Sequence, residues 1–153
     1  MDENPVIKLV KLRPERDKDI PLPKYMTPSS SGMDICAAIE REMIINPGEI
    51  ALIPSGFAVS IPTGYEAQIR PRSGLAVRYG IGIINSPGTI DSDYRGEIKV
   101  AVINWGQNPF TFYRGDRVAQ MVIQRVYQVK IELTEHLDET IRNSGGFGHT
   151  GVS

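Results

Sequence analysis

"GFAVSIPTGYEAQIRP" (residues 56–71) reads as two short extended runs joined by a turn. In the first, Phe57, Val59 and Ile61 alternate with smaller residues. In the second, Ala67 and Ile69 alternate with Glu66, Gln68 and Arg70. A period of two predicts strands with one face buried. Pro62, Thr63 and Gly64 between them are turn residues. The same grammar repeats outward in both directions. "VIKLVKL" (6–12), "EIALIP" (49–54), "IGIIN" (81–85), "GTID" (88–91), "EIKVAVIN" (97–104), "PFTFY" (109–113) and "RVAQMVIQRV" (117–126) each predict a strand. "NPG" (46–48), "WGQNP" (105–109) and "RGD" (114–116) supply further turns. Fifteen glycines and eleven prolines punctuate the chain, which favours many short strands over helices and makes the expected fold all-β.

One stretch departs from this pattern. "SGLAVRYG" (73–80) predicts a short helix, with Ser73 able to cap its start and Gly80 able to end it in the left-handed conformation. Such a helix needs tertiary packing to persist. At the other extreme, "RNSGGFGHTGVS" (142–153) has four glycines and little apolar surface, so it reads as a flexible tail. It also holds an arginine, Arg142, an aromatic, Phe147, and several hydroxyls, the parts of a flap that closes on a ligand.

The length of 153 residues suits a single domain with a real core. Seventeen basic and eighteen acidic residues leave no charge excess that would favour nucleic acid or a membrane surface. No apolar run is long enough to span a bilayer, and "MDENPVIKLVKL" lacks the apolar core of a signal peptide. Cys36 is the only cysteine, so no disulfide forms within the chain, and its apolar neighbours predict a buried, inert thiol. A reducing, cytoplasmic setting fits best. With only two histidines, His136 and His149, histidine-rich metal chemistry is not expected.

Three constellations could carry chemistry. In "RPRSGLA" (70–76) a helix start offers free N–H groups, Gly74 permits close approach, and Arg72 and Ser73 add a guanidinium and a hydroxyl. That is a phosphate cradle, or simply a capped helix beside a surface arginine. In "SSGMDICAA" (30–38) one carboxylate, Asp34, sits among small and apolar residues and needs backbone partners or a cation. A turn-stabilising aspartate is the plainer reading of it. In "GTIDSDYRGEI" (88–98), Asp and Gly interrupt a strand. Asp91 could be held at a strand end as a general base, and Tyr94 offers a flat ring for a sugar. Asp93 reads as a turn or salt-bridge residue, and a solvated hairpin is the plain alternative for the whole stretch. Together these features point to a nucleotide or another phosphorylated ligand.

The order and spelling of five segments resemble the homotrimeric dUTP pyrophosphatase (dUTPase) family. They are "SGMDICAA" (31–38), "PRSGLA" (71–76), "NSPGTIDSDYRGEI" (85–98), "RGDRVAQMVI" (114–123) and "RNSGGFGHTG" (142–151). The resemblance implies a compact β-barrel or jelly-roll-like subunit with one short helix. It further implies assembly as a homotrimer with active sites shared between subunits, and hydrolysis of dUTP to dUMP and pyrophosphate with Mg²⁺. In this reading residues 1–140 form the β core and 141–153 an active-site flap. Asp91 resembles the water-activating aspartate, which also contacts the 3′-OH. Tyr94 resembles the tyrosine beneath the deoxyribose that leaves no room for a 2′-OH. Asn85, Gly88, Thr89, Ile90 and Lys99 match the hairpin that reads uracil, largely through its backbone. Arg72, Ser73 and Gly74 match the phosphate-binding motif, and Gln120 the glutamine that supports it. Asp34 matches an acidic residue near the metal, acting through water. Arg142 resembles the tail arginine at the terminal phosphate, and Phe147 the phenylalanine that covers uracil. The tail departs in one detail: Asn143 follows the arginine where the family more often has glycine, although asparagine tolerates left-handed backbone. Two rival readings accompany this one. The dCTP deaminases share the fold and resemble the motifs loosely, and a non-catalytic nucleotide-binding module would keep the same pocket.

Overall fold

The computed structural model describes residues 4–146. Its elements are β1 (Lys8–Lys11), β2 (Met33–Cys36), β3 (Met43–Ile45), β4 (Ile50–Pro54), β5 (Phe57–Ser60) and β6 (Tyr65–Pro71). Then follow α1 (Ser73–Tyr79), β7 (Ile81–Ile83), β8 (Gly88–Ile90), β9 (Lys99–Asn104), β10 (Phe110–Phe112) and β11 (Arg117–Arg125). The all-β expectation is correct, and α1 is the only helix among the described residues. That helix is far too short to cross a membrane.

The strands form four small antiparallel sheets. The largest has the order β2-β11-β6-β8 and the next β4-β9-β7, while β1 pairs with β5 and β10 with β3. These sheets wrap one core in which Ile35, Ile45, Ile53, Ile98, Val100, Val102, Phe112 and Met121 are almost wholly buried. Each such side chain contributes about 1.5–3 kcal/mol relative to exposure. Cys36 is buried as expected, and burial raises its thiol pKa.

The stretch 56–71 forms β5 and β6 as its alternation predicts: Phe57 and Val59 from β5, and Ala67 and Ile69 from β6, point into the core. Differences arise at three places. Residues 33–36 and 43–45 are strands that the sequence pattern did not reveal. The run 81–85 keeps only three strand residues, because Ile84 and Asn85 turn toward the next hairpin. Ser73 does not cap α1: the chain stays extended through Arg72, which is the N-cap residue, and no side chain caps the helix. The Arg72 carbonyl accepts from the Ala76 N–H at 3.0 Å, so Ser73 is already the first helical residue. Gly80 ends the helix at φ +69°, the left-handed geometry expected of it. The last strand stops at Arg125, and the described residues beyond it carry no regular element.

Candidate functional site

β11 is the central ruler of the site. Its Gln120 faces Asp34 of β2 on one side and Arg70 of β6 on the other. This register gathers residues distant in sequence at one end of the large sheet. The Asp34 carboxylate lies 3.3 Å from Arg72 Nε and 3.4 Å from Arg117 Nη1. Arg72 Nη1 also donates to the Arg117 carbonyl at 3.0 Å. Gln120 Nε2 donates to the Pro71 carbonyl at 3.2 Å, which holds the side chain beneath the start of α1. Gly32 leaves the room that Gln120 occupies, since a Cβ there would approach Gln120 Oε1 to 2.6 Å. Two guanidiniums, one carboxylate, one amide and an exposed helix start therefore meet at one place. Ser73 and Gly74 are both exposed at that start, and a Cβ on Gly74 would meet open space. Arg117 was not among the expected site residues. The only signal for it was its place in the "RGDR" turn before β11.

A second cluster lies on the hairpin. β8 is the edge strand of the large sheet, with Ile90 facing Ala67, Thr89 facing Gln68 and Gly88 facing Ile69 of β6. No strand pairs with its outer side among the described residues, which leaves an edge of backbone groups there. Asp91 follows directly, at the strand end. Thr89, Ile90, Asp91, Tyr94, Glu97 and Lys99 line a cavity of about 380 Å³. The Tyr94 N–H donates to the Asp91 carbonyl at 3.1 Å, and its hydroxyl donates to the Glu97 carbonyl at 3.1 Å. The ring thus stands half exposed against the hairpin. Asp93 lies in the turn, as expected, and Arg95 braces that turn through the Ser92 and Tyr94 carbonyls. The side chain of Asn85 stands close to Gly88, where a Cβ would come within 3.3 Å of it.

The two clusters do not meet within one chain. Ile90 faces Ala67 of β6, and Arg72, just past the end of β6, lies five residues further along the chain. Five residues of extended chain span about 17 Å. Arg142 is exposed, and its Nε donates to the Gly145 carbonyl at 2.7 Å. Asn143 takes φ +41°, a left-handed backbone that asparagine tolerates. Phe147 lies outside the described residues.

The donor set also bears on a metal. Among the described residues no three acidic, histidine or cysteine side chains converge. Asp34 pairs with two arginines, which also line a shallow depression with Asp116. That set fits Mg²⁺ held chiefly by ligand phosphates and water, and does not fit a cage built by the protein.

The fold matches dUTPase structures. It superposes on the dUTPase of Staphylococcus bacteriophage 80alpha, solved with dUpNHpp, with a TM-score of 0.85, covering 96% of this chain and 99% of the other at 23% identity. A mutant dUTPase from phage phi11 of S. aureus, solved to describe its structural Mg(II) ion, gives a TM-score of 0.75 at 22% identity, covering 86% and 97%. The architecture is that of the jelly-roll-like dUTPases. Sequence comparison goes further. The dUTPase family profile matches residues 18–151. The deoxyuridine 5'-triphosphate nucleotidohydrolase of Caldanaerobacter subterraneus subsp. tengcongensis is 58% identical over 140 residues, which is 92% of this chain and 95% of that protein. The enzyme of the same name from Neorickettsia sennetsu is 54% identical over 135 residues, covering 88% and 91%. The chain belongs to the dUTPase family.

Proposed function

We propose that this member of the family hydrolyses dUTP to dUMP and pyrophosphate, with Asp91 taking the proton of the attacking water and the α-phosphorus as its target. The observation that carries this reading is the β8 edge ending in Asp91. Uracil offers an acceptor, a donor and an acceptor, much as a neighbouring strand would, and an edge strand can pair with that pattern through its backbone. Gly88, Thr89 and Ile90 supply the edge, and Asn85 and Lys99 flank it. Cytosine would leave buried groups unpaired, which rejects strongly. Tyr94 beneath the sugar would exclude a 2′-OH.

Arg72, Arg117 and Gln120 would hold the phosphates with the Ser73 and Gly74 backbone, while Asp34 orients the two guanidiniums. Mg²⁺ bound to phosphate oxygens near Asp34 would neutralise charge developing in the transition state. Arg142 would reach the terminal phosphate and Phe147 would cover the base, so that residues 141–153 act as a flap on a single domain and exclude water.

The site requires more than one copy of the chain. Attack needs reacting atoms about 3–3.5 Å apart, whereas Asp91 and the arginine cluster of its own chain stand at opposite ends of β6. A homotrimer with shared sites resolves this, each hairpin meeting a neighbour's arginines. The segment after β11 supports it: Tyr127, Val129, Ile131 and Leu133 alternate with polar residues, and all four are at least 78% exposed. A half-apolar segment that belongs to no sheet among the described residues suits pairing with another copy. The proposed setting is cytoplasmic, in keeping with the free Cys36 thiol.

The test is pyrophosphate release from dUTP with Mg²⁺, run beside dCTP, dTTP and UTP. Release from dUTP alone is expected. Release from all four would refute the account of base and sugar reading, and dUTP binding without release would make the chain a binding module.

A further inference from the structure

The hairpin that carries Tyr94 has no regular secondary structure from Asp91 to Ile98. Something else must fix the ring. The Tyr94 hydroxyl is bonded to the Glu97 carbonyl, and Gly96 supplies the space, because a Cβ at Gly96 would overlap the ring. The position of the ring therefore follows the position of Glu97. Glu97 is held by its side chain, which is only 13% exposed. Its carboxylate accepts from Arg13 Nη2 at 2.5 Å and Nη1 at 3.4 Å, and from the Gly56 N–H at 2.9 Å. Burial pushes the Glu97 carboxyl up, but Arg13 and the Gly56 N–H outweigh it and keep the group below its ordinary pKa.

Arg13 is itself held from behind. Its Nε donates to Asp17 Oδ2 at 3.2 Å, and Asp17 is 1% exposed. Arg16 and Arg114 also pair with Asp17, at 2.8 Å and 3.1 Å. The Asp17 carboxylate packs beside Gly56, φ +79°, where an added Cβ would come within 2.8 Å of Asp17 Oδ2. A continuous path thus runs from a buried anchor, Asp17, through Arg13 and Glu97 to the Tyr94 hydroxyl. Glu97 lines the hairpin cavity, whereas Arg13 lines only the depression next to it.

We propose that Arg13 is a positioning residue for sugar selection, acting through Glu97 to set the Tyr94 ring at the height that excludes a 2′-hydroxyl. The inference rests on the sugar-reading role given to Tyr94 above. Arg13 does not touch substrate. Its planar fork spans the two oxygens of Glu97, a geometry that lysine cannot reproduce.

The experiment measures kcat/KM for dUTP and for UTP in Arg13→Met, Arg13→Lys, Glu97→Gln and Tyr94→Ala, with the thermal midpoint of each. Arg13→Met is expected to raise relative use of UTP roughly tenfold, and Arg13→Lys to recover part of the discrimination. Glu97→Gln keeps the backbone contacts, loses the charge pair, and should fall between wild type and Arg13→Met, so it tests the path even if Arg13→Met does not fold. In the double variant with Tyr94→Ala, Arg13→Met should add nothing to the ratio, since the two act in series. Equal loss of both substrates together with a lower midpoint would make Arg13 purely structural and overturn the proposal. An unchanged ratio in Tyr94→Ala would instead overturn the sugar-reading role, whatever Arg13 does. A raised ratio in Tyr94→Ala with none in Arg13→Met or Glu97→Gln would remove the positioning role alone.

Discussion

At Gly96 the room for one methyl group is taken by the ring of Tyr94. Gly96→Ala should push that ring outward. The ring is half exposed and can swing without disturbing the core, so the thermal midpoint should hold while kcat/KM for dUTP falls by about tenfold, roughly 1.4 kcal/mol. Steady-state kinetics beside a melting curve would check this, and unaltered kcat/KM would show that the ring position is immaterial. Asp91→Asn makes a different demand. It keeps the shape of the strand end and removes the proton acceptor, so turnover should drop by roughly 10² to 10⁴ while dUTP binding survives in calorimetry. Near-normal turnover in that variant would take Asp91 out of the reaction. The hairpin was singled out in the sequence because Asp and Gly stood where a strand discourages them. Glu97 and Arg13 were not, since their pairing joins residues that are neighbours only in the folded chain.

Among the elements, the segment between β1 and β2 owes its form to charge rather than to regular structure. Asp17 is buried against three arginines, and Arg16, then Arg114 and Arg13, hold its carboxyl near pKa 2 against an ordinary 3.8. The folded pKa is the lower one. The stabilisation is therefore complete above about pH 4 and is lost as pH falls toward 2, amounting to about 2 kcal/mol. Urea midpoints measured from pH 5 to pH 2 should decline in that window, and Asp17→Asn should be less stable at pH 5 with a shallower decline. A slope identical to wild type would mean that Asp17 is not the titrating group. Elements with clean alternation, such as β6, were readable directly. β2 and β3 were not: Asp34 interrupts the apolar run of one, and the other is three apolar residues long, too short to show a period. The start of α1 moved by one residue because Arg72, following Pro71, keeps the extended backbone of β6, a matter of local dihedrals that composition does not show.

For the whole molecule, the exposed apolar segment after β11 and the two separated clusters argue for assembly, which periodicity within one chain could not reveal. The proposed phosphate cluster follows the end of β6, whereas the proposed base-reading edge, β8, pairs with its middle, at Ala67–Ile69. Two inactive variants should therefore repair one another. Asp91→Asn and Arg72→Ala, each inactive alone, should regain activity when refolded together at equal amounts, with about a quarter of sites drawing an intact hairpin from one chain and an intact arginine cluster from the other. Pyrophosphate release from the mixture, compared with each variant refolded separately, decides the point. No recovery would mean that each chain completes its own site.

The stretch of about 17 Å from Ala67 of β6 to Arg72 also bears on heredity. If the centres are divided between chains as proposed, a defective allele would do more than withhold its share of product. Its chains would enter assemblies with sound ones and disable centres that the sound chains would otherwise complete. Such an allele would behave as partly dominant, and its severity would depend on which end of that stretch it damages.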